Sequence, residues 1–152
     1  MMKYSKSHLQ MIICGVFILL GSRGFVLAAE ESRWSFVGFT KYRDALFIDK
    51  AHLRRPSPGT VLVSARIEPS AKSLLRKSIQ REIPQDKNKA KNFNYLILEM
   101  EMSCRSHRMR ILKLQFCSAT GKIIHTAADP EAAWKTVGSG SLWKDLEGAV
   151  CL

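Results

Sequence analysis

The second half of the chain holds three cysteines, Cys104, Cys117 and Cys151. They are spaced 13 and 34 residues apart, and no Cys-x-x-Cys occurs. That spacing fits no common zinc pattern and points to disulfide chemistry. Cys104 closes an alternating row, Leu96, Leu98, Met100, Met102, Cys104, and Cys151 is the last residue but one. A row of period two is one face of a strand. Cys104 and Cys151 therefore read as a staple that ties the C-terminus onto that strand. Cys117 is left over, either as a buried free thiol or as the bridge of a covalent homodimer.

Other chemistry is thinly represented. His52, His107 and His125 fall in a loop, a turn and a short strand, without an HExxH pair or a cysteine at ligand spacing. Glu99 and Glu101 stand two apart between the apolar positions of the cysteine-ended strand. Paired carboxylates can do acid–base work. Here they read as solvent-facing partners of Arg108 and Arg110 across a hairpin. Gly138-Ser139-Gly140-Ser141 has the composition of a phosphate loop but lacks the lysine that should follow. Ser64 and Ser103 have no visible base. The expectation is a protein that is not an enzyme and needs neither cofactor nor metal.

The elements that must position these residues follow from pattern and punctuation. Lys3 and Lys6 precede ten apolar residues, Met11 to Leu20, and small residues follow at Val26-Leu27-Ala28-Ala29. That is the layout of a secretory signal peptide, over residues 1–28. The apolar run is short for a membrane span. Cys14 lies inside the run, so the mature protein is expected without a lipid anchor, and without a transmembrane segment. Residues 29–152 then form a single domain. Export suits disulfides and makes nucleic acid an improbable partner. Of 24 cationic and 13 acidic residues, cleavage removes three cations and no acid, leaving a net charge of +8. Such a surplus favours polyanions.

Strands are expected over 33–40, 45–49, 60–67, 93–104, 108–117 and 122–127. Residues 54–59, with two prolines and a glycine, read as a loop. Leu112, Leu114 and Phe116 read as one face of the strand over 108–117. Met109 and Ile111 break its phase, which predicts a bulge near Ile111. Ser70 reads as the N-cap of a helix over 71–82 that Pro84 stops. Gln85 to Lys91 reads as a polar linker. Ser141 reads as the N-cap of a final helix over 142–150. Lys72, Arg76, Lys77, Arg81, Lys87, Lys89 and Lys91 form the densest basic patch of the mature chain. They are a candidate polyanion-binding segment. The plainer reading is a surface helix whose charges are solvated.

Scattered signatures run along the chain: Trp34-x-x-Val37-Gly38, Leu46-Phe47-Ile48-Asp49, Val61-x-Val63, Glu101-x-x-Cys104, Gly121-Lys122-Ile123-Ile124, Trp134-x-x-Val137-Gly138-Ser139 and Leu146-x-x-x-Val150-Cys151. In this order they resemble the surface-adhesin protein E-like family, small exported proteins of Gram-negative bacteria. The resemblance implies an α+β fold. About six antiparallel strands form a curved sheet, and a C-terminal helix lies on the concave face, held by a disulfide between the positions of Cys104 and Cys151. The helix over 71–82 would be an additional surface helix. The founding adhesin is a surface lipoprotein that binds vitronectin, laminin and plasminogen. This sequence departs from it in lacking a lipidation cysteine and in its longer, more basic segment over 70–91. Two functions are carried forward. One is a non-enzymatic exported binding protein, adhesin-like toward host matrix or other extracellular macromolecules. The other is a periplasmic envelope accessory that touches lipid or glycan through its basic face.

Overall fold

The structure, a computed structural model, describes residues 33–83 and 86–151. The expected signal peptide and the expected stop at Pro84 lie outside the described residues. The elements are β1 (Trp34–Phe39), β2 (Ala45–Asp49), a 3-10 turn (Lys50–His52), β3 (Arg54–Ser57), β4 (Thr60–Glu68), α1 (Leu75–Glu82), α2 (Lys87–Lys91), β5 (Phe93–Ser103), β6 (Arg108–Ser118), β7 (Ile123–Ala128), β8 (Lys135–Thr136) and α3 (Leu142–Val150).

Alternation of branched and aromatic residues with polar ones makes these segments pair with one dry face. One antiparallel sheet results, in the order β1-β2-β4-β5-β6-β7, with β3 added to β4 and β8 added to β6. Register aligns the apolar positions across strands. Ile48, Ala65, Leu98 and Leu114 form one cross-strand row, and Leu46, Ile67, Leu96 and Phe116 the next. The expected row on β5 is observed, with Met100 and Met102 fully buried and Cys104 packed beside them. Unbranched methionine fills the irregular space between the sheet and its cover. Ile79 of α1, Ala90 of α2 and Leu146 and Val150 of α3 join the same core.

Four local expectations are corrected. The loop over 54–59 is in part a strand: β3 folds back on β4 around Gly59, whose φ of 82° suits glycine. Helix α1 starts at Leu75, not Ala71. The Ser70 hydroxyl is engaged instead with the Tyr42 carbonyl, and it accepts from the Lys72 amide. Gln85 to Lys91 is not all linker: Asp86 accepts from the Lys89 amide and caps α2. On β6 the bulge expected near Ile111 is present, with Leu112 as the extra residue, since Glu99 pairs with Lys113 and Met100 with Ile111. The expected face Leu112, Leu114 and Phe116 is therefore corrected: Met109 and Phe116 are buried, Ile111 and Leu114 are half-buried against the core, and Leu112 is out of the row. The strand over 122–127 is also followed by another, β8.

Candidate functional site

Helix α3 is held down by a clasp built from four parts of the chain. Ser141 caps it, its hydroxyl accepting from the Lys144 amide at 3.3 Å. Leu142, Leu146 and Val150 give it an apolar stripe. At its C-terminus Cys151 forms the disulfide with Cys104, with Cα atoms 5.6 Å apart. One turn earlier, Glu147 is 3% exposed and faces the β5–β6 turn. Its Oε1 lies 2.8 Å from His107 Nδ1, and its Oε2 accepts from Lys144 Nζ at 2.5 Å. The Lys144 ammonium first, and then the His107 ring, hold the Glu147 carboxyl below its ordinary range against the opposing effect of burial. Arg55 of β3 donates to the Val150 carbonyl at 3.0 Å, placing a cation where the helix dipole is negative. Neither Arg55 nor the His107–Glu147 contact was visible in the sequence. Forty residues separate the latter pair.

On the opposite face of the sheet, Glu101 pairs with Arg110 at 2.6 Å and Glu99 with Lys113 at 2.9 Å. The expected partner Arg108 instead donates to the Trp134 carbonyl. These carboxylates are neutralised cross-strand pairs. A groove of about 500 Å³ lies between β6 and the segment after β7. Ile111, Leu114 and Ala127 line it, and two of its polar groups, Arg110 and Lys113, are the same paired cations. His52 contacts Asp49 at 2.9 Å, and His125 stacks near Phe116. No cluster of metal-ligating side chains occurs among the described residues.

Cys117 is a buried free cysteine. It pairs in register with Tyr95 and lies 3.7 Å from the Gln115 carbonyl. Burial pushes its thiol up, against the opposing influence of Tyr95 and Arg66.

The basic segment is inserted between β4 and β5, two strands that pair directly. Lys72 lies in the turn before α1. Arg76, Lys77 and Arg81 lie on α1, and Lys87, Lys89 and Lys91 on α2. All seven are exposed. Arg76 donates to the Phe93 carbonyl, and Lys89 pairs with Asp86 at 3.1 Å. Ile79, 1% exposed, anchors α1 in the core. No described helix is long and apolar enough to cross a membrane.

A solved structure of Haemophilus influenzae protein E aligns with a TM-score of 0.51 at 10% identity, over 76% of this chain and 83% of that one. A second crystal form of the same protein aligns at 0.48 and 10% identity, over 76% and 86%. At this identity the first likeness concerns the fold alone. No curated protein matches. The family model of surface-adhesin protein E matches residues 34–152, the whole of the sheet and the clasp, and the chain belongs to that family.

Proposed function

We propose that this chain is a non-enzymatic, exported, adhesin-like binding protein whose α1–α2 insertion attracts polyanionic surfaces. Residues 1–28 act as the signal peptide, and the mature chain carries no lipid. One observation supports the binding surface. Lys72, Arg76, Lys77, Arg81, Lys87, Lys89 and Lys91 all stand exposed on one inserted segment, with Glu82 and Asp86 its only acids. Attraction of this kind is long-ranged and screened, with a Debye length of about 8 Å at physiological salt. It steers encounter more than it sets specificity.

The triple variant Arg76→Glu, Lys77→Glu, Arg81→Glu tests it. Retention on a heparin or anionic-lipid column at low salt should be lost while circular dichroism stays unchanged. Unchanged retention would reduce the segment to a solvated surface. The same patch also supports the second reading, a periplasmic accessory that contacts lipid or glycan. Fractionation of an epitope-tagged strain separates the two. Surface or secreted protein supports the adhesin-like reading, and protein confined to the periplasm supports the accessory.

A further inference from the structure

The β1–β2 hairpin carries a second exposed surface, distinct from the basic insertion. Phe36 and Phe39 lie three residues apart on β1, and a strict period of two would send them to opposite faces. An extra residue at Val37 prevents this. Phe36 pairs with Phe47, Gly38 with Leu46 and Phe39 with Ala45. Leu46 belongs to the core, so its neighbours Ala45 and Phe47 face out, and both β1 phenylalanines face out with them. Val37 packs on the core, and Gly38 fits beneath Leu142 of α3. A bulge of this type re-aims side chains.

The result is a continuous ledge. Phe36 lies 5.6 Å from Phe47 and 5.0 Å from Phe39, centroid to centroid, and the Arg43 guanidinium stands 5.0 Å over Phe39. Lys41 lies 5.0 Å over the Tyr42 ring in the same turn. Arg43 reaches its position with φ 66°, a left-handed backbone that strains a non-glycine residue. The turn is held firmly. Thr40 Oγ1 accepts from the Tyr42 and Asp44 amides, Asp44 Oδ1 accepts from the Ser70 amide, and the Ser70 hydroxyl donates to the Tyr42 carbonyl. Preorganisation of this kind favours binding.

Phe36 and Phe39 are 53% and 51% exposed. Leaving both half in water forgoes hydrophobic stabilisation. Phenylalanine and arginine are among the residue types enriched at protein–protein interfaces. β1 also ends the sheet, with no further strand paired to it among the described residues. The local charge selects the partner. Among the described residues, Lys41 and Arg43 are cationic, the nearby Asp44 and Asp49 are buried, and Glu68 is paired with Arg66. A second copy of this chain would bring the same cations to the contact. An acidic segment complements them.

We propose that the ledge Phe36–Phe39–Arg43 docks an extended, acidic, aromatic-bearing segment of a partner protein. This rests on the adhesin-like reading and names the surface that would confer its specificity. The probe is an immobilised random glutamate–tyrosine copolymer, with polyglutamate of the same length as control. The mature protein should bind the copolymer about tenfold more tightly, as two aromatic contacts allow. In Phe36→Ser, Phe39→Ser the ratio should fall to about one, with polyglutamate binding unchanged. Arg43→Gly relieves the backbone strain, so it should keep the fold while weakening the copolymer severalfold. Equal binding of the two polymers by the native protein, or a preference that survives in the double Phe variant, would overturn the proposal. So would a loss of heparin binding in that variant, which would give the ledge to a glycan. Loss of a concentration-dependent dimer in that variant would overturn it too, by giving the ledge to a second copy. Reversal of Arg76, Lys77 and Arg81 should weaken both polymers alike and leave their ratio intact, so the basic-patch reading can fail separately.

Discussion

His107 Nδ1 and Glu147 Oε1 meet at 2.8 Å across the β5–β6 turn and α3, with the Cys104–Cys151 disulfide close by in sequence on both sides. The carboxylate is buried, and its ordinary value of 4.5 is lowered. A lowered folded-state value favours the folded form at pH values above the unfolded one, and the benefit is lost as pH falls through the folded value. The contribution is therefore complete near neutrality and declines from about pH 4.5 downward. Glu147→Gln should cost about 2 kcal/mol at pH 7, the scale of a hydrogen-bonded charged group. Its acid limb should also be shallower than that of the native protein. Urea unfolding at pH 7 and at acid pH checks both, and parallel pH profiles would exclude the pair as the source.

The disulfide closes a separation of 47 residues. In the chain-entropy model such a loop stabilises by about 4 kcal/mol. Cys104→Ser with Cys151→Ser should lower the urea midpoint accordingly. Reductant should shift the native protein to the same midpoint and leave the double variant unmoved.

The central pattern was legible because period two and apolar type agree along Leu96 to Cys104, and the cysteine at its end needed a partner beyond the strand. The C-terminal helix was legible through Ser141 and the Leu142, Leu146, Val150 stripe. The bulges at Val37 and Leu112 were placed only approximately or missed, because alternation read along one strand assumes an unbroken register. Glu147 carried no signal in the sequence, since its partner His107 lies forty residues away. Ser70 looked like a cap because its competing acceptor, the Tyr42 carbonyl, is a tertiary contact. Asp86 could have been read as a cap of α2 from local spacing alone.

Cys117 should react slowly with a thiol reagent in the native state. It is 1% exposed, and burial keeps the thiol protonated, while the thiolate is the reactive form. Denaturation without reductant should make one thiol available within residues 29–152. Fast native-state labelling, or a covalent dimer on non-reducing electrophoresis that disappears in Cys117→Ser, would contradict the buried free thiol.

Helix α1 has eight residues, and Ile79 is its one fully buried side chain. A helix this short is not stable alone in water, so its order depends on that anchor. Ile79→Ala should remove about 2–5 kcal/mol of packing, most of it felt locally. Hydrogen exchange followed by mass spectrometry should show faster exchange over residues 75–82, with β4 and β5 still protected. The cations would remain while their arrangement loosened. Heparin retention at low salt should therefore persist in Ile79→Ala, in contrast to the charge-reversed triple variant. Loss of retention on melting α1 alone would mean that geometry, rather than charge, governs this surface.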